Sequence, residues 1–419
     1  MPTRAQAPAV PRLTYLRIKN YRALRDVEFR DLTPLTVLIG PNGSGKSTVL
    51  DALDFLAEAV RGNLTQAWEK RERFRGMQTR DSGEWTIEFE AEIELDIFKP
   101  RLIYKLVIDE ADGTVFVDEE SLIEAGPNGK RIFFLDDAGP HPLRKGGYEN
   151  EFRINVYSHD LAKGHSTSPS STPLIARVGF FPEQMGKDWP SALAIVKFFQ
   201  KFRRVVFTDK HLKGFSDRGP QERLSADGEN LPNVLYYYYS SHPQVLHTIE
   251  ELLQRRVPSL AEIQMEKISD DRLLMRFSDA PFEKPFPARF MSGGTVKLTA
   301  LFVLLYEPDA EGLIAIEEPE NELHPQLLYR LTEEFNKAAE KRQLFVTTHS
   351  PLLLDALDPK QVWVMYRGED GYAHATCTAD MPNVPELVEY GSMLGYLWTS
   401  NTFTAGDPQA PLKPNPNAR

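Results

Sequence analysis

Gly40-Pro41-Asn42-Gly43-Ser44-Gly45-Lys46-Ser47 is the stretch of this chain that decides its fold. It fits the pattern G-x-x-x-x-G-K-[ST] at every fixed position. Glycines let the backbone curl so that its N–H groups point at phosphate oxygens, and a helix starting at Lys46 adds the positive end of its dipole. The loop is therefore predicted to bind nucleotide phosphates, with Lys46 on the β- and γ-phosphates and Ser47 on Mg²⁺.

The residues on either side of this glycine loop supply the strand and the helix that it needs. Leu35-Thr36-Val37-Leu38-Ile39 is almost wholly apolar and indicates a buried central strand. Beyond the loop, apolar side chains recur at helical spacing, at Leu50, Leu53, Leu56 and Val60. The order strand, loop, helix predicts an α/β fold and argues against a chance glycine turn.

Two later apolar runs end in residues that suit phosphate chemistry. The run 313–316 ends in Glu317 and Glu318, and the run 344–348 ends in His349. Mg²⁺ with a nucleotide needs a carboxylate at a strand end, and hydrolysis needs a second one to orient or deprotonate water. We assign Glu317 to the metal, either directly or through a water molecule, and Glu318 to the attacking water. We expect a neutral His349 to hydrogen-bond the γ-phosphate or the water.

A second anion-binding turn precedes the Glu317–Glu318 strand. Met291-Ser292-Gly293-Gly294-Thr295 stands directly before an apolar stretch that reads as a helix. A Ser-Gly-Gly turn at a helix start points N–H groups at an anion. Alone it would be an ordinary helix cap, but its place just before the acidic strand favours a functional role.

Together these segments resemble the heads of ABC-type ATPases, which are α/β P-loop NTPases. The four that carry the resemblance are GPNGSGKS (40–47), MSGGT (291–295), LIAIEEPENELHP (313–325) and FVTTHSP (345–351). The opening Leu16-Arg17-Ile18-Lys19-Asn20-Tyr21-Arg22 favours the RecF, OLD and SMC-like branch over transporters. The stretches 224–231 and 394–398 are similar to counterparts in stand-alone predicted AAA-type ATPases of bacterial genomes.

The resemblance implies a dimer that sandwiches two molecules of ATP with Mg²⁺. Ser292 and Gly294 of one subunit would contact the γ-phosphate that Lys46 of the other holds. Gly293 and Asn321 would also belong to the nucleotide site, with the segment of Asn321 and His324 near the dimer seam. ATP would join the subunits and hydrolysis would release them.

The resemblance also raises the question of which glutamine completes the metal site. Gln66, Gln78 and Gln184 are candidates, and Gln78 is the first choice because it precedes the long alternating strand that starts near Glu84. Glu317 stands where many relatives have Asp, which keeps the charge but lengthens the side chain. Thr295 stands where transporters have Gln, as in other RecF-like heads.

Pattern shifts divide the chain into five predicted segments. A disordered tail is followed by the first half of the head with an antiparallel meander. A loop-rich and then helical insertion lobe without heptads or a long coiled coil comes next, and the second half of the head and a loose tail follow. Their bounds are 1–11, 12–135, 136–284, 285–404 and 405–419. Residues 385–398 are expected to form one final helix, and the acidic row of the 84–97 strand is expected to face solvent.

Bulk composition limits the classes of protein that this chain can be. The balance of 49 Lys+Arg against 60 Asp+Glu gives a net charge of −11 and argues against a surface built for nucleic acid. One cysteine, Cys377, rules out an internal disulfide and suits the cytoplasm, and neither a membrane segment nor a signal core is visible. Lys197, Lys201, Arg203 and Arg204 are either phosphate contacts or, preferably, a solvated helix face.

Two roles follow from these features. The first is an ATPase linked to DNA maintenance or to sensing foreign DNA in phage defence, with DNA as a candidate partner. OLD-like relatives carry a Toprim nuclease, and too little chain follows His349 for one, so a nuclease or toxin is expected as a separate protein. The alternative is an ATP-bound oligomeric scaffold that holds and releases such an effector without binding DNA. The mid-sized insertion argues against a transporter ATPase.

Overall fold

The computed structural model describes most of the chain between residues 10 and 406. The described residues are 10–95, 101–126, 129–136, 151–155, 172–173, 175–176, 190–214, 216, 219–269, 272–280, 284–403 and 405–406. Only the backbone is described for 126, 129–136, 151–155, 268, 269 and 272. Both expected tails fall almost wholly outside these residues, as does most of the loop-rich first part of the predicted insertion lobe.

The strands and helices of the described residues follow in chain order. The strands are β1 (Arg12–Tyr21), β2 (Leu24–Phe29), β3 (Leu35–Ile39), β4 (Ile87–Glu94), β5 (Arg101–Ala111), β6 (Thr114–Gly126), β7 (Gly129–Asp136), β8 (Glu151–Asn155), β9 (Arg203–Val205), β10 (Leu260–Ser269), β11 (Arg272–Asp279), β12 (Phe286–Pro287), β13 (Leu313–Glu317), β14 (Gln343–Thr348), β15 (Val362–Arg367) and β16 (Ala373–Cys377). The helices are α1 (Lys46–Val60), α2 (Leu64–Lys70), α3 (Arg73–Met77), α4 (Pro190–Gln200), α5 (Asp209–Leu212), α6 (Leu231–Ser241), α7 (Pro243–Gln254), α8 (Gly293–Leu305), α9 (Leu328–Ala339), α10 (Pro351–Leu354), α11 (Val384–Glu389) and α12 (Leu394–Thr399).

A six-stranded central sheet carries the predicted motifs. Its order is β16-β15-β3-β14-β13-β9, and every pair is parallel except β15 with β16. The register pairs Glu317 with Thr347 and Thr348 with Ile39. The carboxyl ends of β13, β14 and β3 therefore lie side by side, which brings the glycine loop, the acidic pair and His349 to one edge of the sheet.

Both faces of the central sheet are buried, as expected for parallel strands. Leu38, Ala315 and Phe345 point into a core shared with α1 and the N-terminal sheet. Ile316 and Val346 point into a second core that contains α6, α7, α8 and α9. Every residue of α8 from Thr295 to Leu305 is buried, so this helix lies inside the second core.

The first core is closed by a seven-stranded sheet of order β2-β1-β4-β5-β6-β7-β8, antiparallel except for β7 with β8. The antiparallel meander predicted to about residue 135 is confirmed, since β7 ends at Asp136. The acidic row of β4 is half-exposed, and Glu88 and Glu92 form ion pairs with Lys105 and Arg101. These pairs fit the expected solvent-facing row.

The segment 136–284 contains more strand than its pattern indicated. The helices α4, α6 and α7 are present, but β9 joins the central sheet beside β13, and β10 pairs with β11 in a small three-stranded sheet with β12. The first helix of this predicted helical part, α4, ends at Gln200. A three-residue strand such as β9 is too short to show a period.

The helix predicted over 385–398 is two helices. Helix α11 ends at Glu389, and Gly391, with φ at +96°, lies in the turn that leads to α12. The longest helix of the described residues, α1, has 15 residues, so this part of the chain has no long coiled coil. None of the described helices is long and apolar enough to cross a bilayer.

Candidate active site

The glycine loop leaves β3 and enters α1 through two left-handed residues. Gly43 and Gly45 have φ of +75° and +105°, a region that favours glycine. A Cβ at Gly40 would overlap the carbonyl oxygen of Met365 in β15, so only glycine fits there. Arg367, which the sequence did not single out, donates from Nε to the carbonyl of Gly43 at 2.8 Å and braces the loop.

The side chains of the loop are arranged as a site for an anion. The Lys46 amine lies in the curl of the loop and donates to the carbonyls of Gly40 and Pro41 at 2.8 and 3.1 Å. The buried Ser44 hydroxyl has no hydrogen-bond partner among the described residues, while Asn42 and Ser47 are exposed. A buried ammonium, an unsatisfied hydroxyl and a helix start fit a phosphate group.

Burial of Lys46 makes its charge depend on pH. Loss of solvent lowers the pKa of Lys46 to about 8, although Glu318 and Glu320 act in the opposite direction. The amine must be protonated to attract phosphate, and the bound phosphate raises its pKa again. We expect ATP affinity to fall about tenfold between pH 7.5 and pH 9. Isothermal titration calorimetry at both pH values would measure this, and equal affinities would contradict it.

The predicted catalytic pair lies together at the end of β13 and β14. Glu318 has φ of +41°, and its N–H donates to the carbonyl of Thr347 at 3.0 Å. Its Oε1 lies 3.3 Å from Nε2 of His349, and its Oε2 accepts from the amide of Asn321 at 2.8 Å. Glu318 and His349 are about one-third exposed, at 35% and 36%. Both can reach a water molecule outside the sheet edge.

Glu320 is a site residue that sequence reasoning missed. Its Oε1 accepts from the Thr348 hydroxyl at 2.6 Å and from the backbone N–H of His349 at 2.8 Å. It therefore fixes the backbone that carries the histidine. The run Glu317-Glu318-Pro319-Glu320 was a possible signal, but an acid two residues past the pair is common in a turn.

The Ser-Gly-Gly turn forms the start of α8. Ser292 caps the helix by accepting from the Thr295 N–H at 3.2 Å. A Cβ at Gly293 would meet the carboxylate of Glu322, and one at Gly294 would meet its backbone oxygen. The loop after Glu318 therefore packs directly on these glycines.

Lys297 adds a second link between α8 and this loop. Its amine is buried and donates to the backbone carbonyl of Glu318 at 3.1 Å. Loss of solvent lowers the pKa of Lys297, against the opposing charges of Glu322, Glu320 and Glu318. The turn predicted to contact one ATP is thus tied to the loop predicted to hydrolyse another.

The three predicted metal ligands, Ser47, Glu317 and Gln78, differ in exposure and in hydrogen bonding. Ser47 is exposed at the start of α1, and Glu317 ends β13 with its carboxylate bonded to Arg204. Gln78 is half-buried and donates its amide to the carbonyl of Glu84 at 2.6 Å. The metal roles of Ser47, Glu317 and Gln78 all stay predictions. Of the other candidates, Gln66 is exposed on α2 and Gln184 lies outside the described residues.

The basic cluster near residue 200 is not a solvated helix face. Arg203 and Arg204 belong to β9 and form ion pairs with Glu307 and Glu317. Lys201 pairs with Glu311. Carboxylates of the same chain therefore neutralise three of the four cationic side chains.

Comparison with protein families settles the class of this chain. The family described as "AAA domain, putative AbiEii toxin, Type IV TA system" matches residues 35–355, well over half of the chain. The chain belongs to this family. The matched range includes the glycine loop, Glu317, Glu318 and His349. The expected likeness to ABC-like ATPases is confirmed.

Two curated proteins are similar over part of their length. The OLD nuclease of Thermus scotoductus is 25% identical over 369 residues, covering 82% of this chain and 60% of that protein. The Retron Ec83 probable ATPase of Escherichia coli is 25% identical over 162 residues, covering 35% of this chain and 29% of that protein. This chain thus spans less than two thirds of either relative.

Solved structures agree on the fold. A crystal structure of the SMC head bound to the C-winged helix domain of ScpA matches with a TM-score of 0.52 at 14% identity, covering 87% of this chain and 96% of that one. At this identity the likeness concerns the fold alone. The predicted ATPase-head fold, a mixed central sheet with an antiparallel β subdomain, is confirmed.

Proposed function

We propose that this chain binds ATP with Mg²⁺, hydrolyses it, and dimerises around it. The observation that carries the proposal is the meeting of Lys46, Glu318 and His349 at one edge of the central sheet. Lys46 comes from the phosphate loop, Glu318 follows β13 and His349 follows β14. Phosphoryl transfer needs little beyond positioning and charge stabilisation, which these groups supply.

The residues of the phosphate loop would hold the nucleotide. The Lys46 amine would exchange the carbonyls of Gly40 and Pro41 for β- and γ-phosphate oxygens, and the loop N–H groups would bind the rest. Ser47 and Glu317, with Gln78 as the proposed third ligand, would hold Mg²⁺. The ion would neutralise charge that develops on the transferred phosphoryl group.

The acid and the histidine would act on the water. Glu318 Oε1 lies 3.3 Å from His349 Nε2, so a water molecule adjacent to both groups, outside the sheet edge, would give its proton to the carboxylate while the imidazole forms a hydrogen bond with it. Asn321 holds the other carboxylate oxygen and fixes the orientation of Glu318.

The turn of Ser292, Gly293 and Gly294 is proposed to complete the site of a second subunit. It opens a 13-residue helix, so its N–H groups and dipole favour an anion. Glu322 and Lys297 tie this turn to the loop of Glu318 in the same subunit. Closure of the dimer on one ATP would therefore affect the loop of Glu318 at the second ATP. The active form would be a homodimer or a higher oligomer.

We place this ATPase in the cytoplasm, in DNA maintenance or anti-phage defence, with a separately encoded nuclease or toxin as its effector. The names of the similar proteins, a nuclease and a retron ATPase, support that setting. One observation favours the alternative of a scaffold that holds the effector without touching DNA. Three of the four basic side chains near residue 200 are paired with carboxylates, and the net charge is −11.

Turnover measured with and without DNA tests this proposal. We expect Mg²⁺-dependent release of phosphate from ATP by the purified chain, and a faster rate with double-stranded DNA if DNA is the partner. Turnover without any response to DNA would favour the scaffold. No Mg²⁺-dependent turnover under either condition would refute the proposed activity.

A further inference from the structure

Arg204 lies between two carboxylates that belong to different parts of the fold. Its Nε donates to Oε1 of Glu317 at 2.5 Å, and a second guanidinium nitrogen contacts the same oxygen. Its third nitrogen lies 3.2 Å from Oδ1 of Asp51 in α1. The planar fork of a guanidinium suits such bridging. No step of the proposed ATP hydrolysis uses Arg204.

The strand register explains how these groups meet. Arg204 pairs with Ala315 across β9 and β13. Side chains alternate along a strand, so Glu317, two residues beyond Ala315, points to the same face. That face packs on α1. Ser47 and Asp51 are four residues apart on α1 and therefore lie on one side of the helix, about one turn from each other.

Arg204 and its two carboxylate partners are largely buried, whereas Ser47, the proposed metal-binding hydroxyl, is exposed. Asp51, Glu317 and Arg204 are all largely buried, at 11%, 15% and 24% side-chain exposure. Ser47 is one turn nearer the loop. Arg204 therefore contacts Glu317 while it is bonded to Asp51, one turn of α1 away from the exposed Ser47.

Asp51 is itself firmly anchored. It accepts from the Tyr21 hydroxyl at 2.6 Å and forms ion pairs with Arg22 at 2.8 Å and Arg71 at 3.1 Å. These partners come from β1, the turn after it and the end of α2. The position of Arg204 is thus set by the N-terminal sheet as well as by the central one.

We propose that Arg204 is a positioning residue for the metal-binding carboxylate of Glu317, and that Asp51 holds Arg204 in place. The inference rests on the proposed function, in which Glu317 binds Mg²⁺. Glutamate has one more rotatable bond than aspartate, so a carboxylate at this position needs a partner to hold it in one direction. Hydrogen-bonded partners of a metal-binding carboxylate commonly orient it for the ion.

Binding of Mn²⁺ as a probe for Mg²⁺ tests this directly. Electron paramagnetic resonance would measure Mn²⁺ affinity of the full chain with a non-hydrolysable ATP analogue. We expect Arg204→Gln to weaken Mn²⁺ binding about 10- to 100-fold, with nucleotide affinity in EDTA unchanged. Arg204→Lys should recover part of the loss, because an ammonium is a point charge that cannot bridge both carboxylates. Asp51→Asn should lose Mn²⁺ affinity as well, to a smaller degree.

Arg203→Gln is the matched control. Arg203 is the neighbouring residue on the same strand, but it pairs with Ile314, faces the other side of the sheet and bonds to Glu307. Its loss should leave Mn²⁺ affinity as in the wild type even if thermal stability falls. Unchanged Mn²⁺ affinity in Arg204→Gln would overturn the inference, and tighter binding would show that Arg204 competes with the ion instead. If the wild type binds the analogue but no Mn²⁺, the proposed metal site fails and this inference with it.

Discussion

Replacing Glu318 with Gln lowers the rate of ATP hydrolysis about 10²- to 10⁴-fold, the usual contribution of a positioned base, and leaves ATP bound. The amide keeps the size of the side chain and an oxygen that can accept from Asn321, but it cannot take a proton from water. Single-turnover phosphate release measures the effect. In the presence of ATP and Mg²⁺ the variant should also sediment as a stable dimer, because release is blocked.

Glu333→Gln provides the control for this variant. It is the same chemical change on α9, where Glu333 forms a surface ion pair with Arg330, and such pairs contribute little to stability. Its rate should equal that of the wild type. Normal hydrolysis by Glu318→Gln would show that another group activates the water and would remove Glu318 from the mechanism.

Much of the site could be predicted because its functional residues occur in short sequence motifs. The loop 40–47, the acidic pair and His349 each follow an apolar run that reads as a buried strand. In a parallel sheet the carboxyl ends of neighbouring strands share one edge. Once the strands are recognised, the proximity of residues that are far apart in sequence can therefore be predicted.

The supporting residues were not predictable for a physical reason. Arg204 bonds to Glu317 across 113 residues of sequence, and it lies in a strand of three residues that shows no period. Lys297 reads as one polar residue in an apolar helix, and only the packing of α8 shows that its amine reaches the Glu318 carbonyl. Such contacts depend on the order of strands and on the packing of helices between them.

Two substitutions on opposite sides of the proposed dimer seam should each abolish turnover. Lys46→Ala removes the ammonium that holds the β- and γ-phosphates, so we expect nucleotide binding itself to be lost. Ser292→Arg puts a bulky charged group where the partner's γ-phosphate would sit. It also removes a helix cap, at a cost of about 1 kcal/mol, so its thermal melting must be compared with that of the wild type.

Mixing these two inactive variants tests most directly whether the site is shared between subunits. In a mixed dimer, Lys46 and Glu318 of the Ser292→Arg chain meet the intact Ser292 turn of the Lys46→Ala chain. Because a two-fold dimer has two equivalent sites and half of the random dimers are mixed, up to about a quarter of the wild-type rate should return. The account predicts this recovery of ATP hydrolysis on mixing. A mixture as inactive as its components, although mixed dimers form, would contradict it.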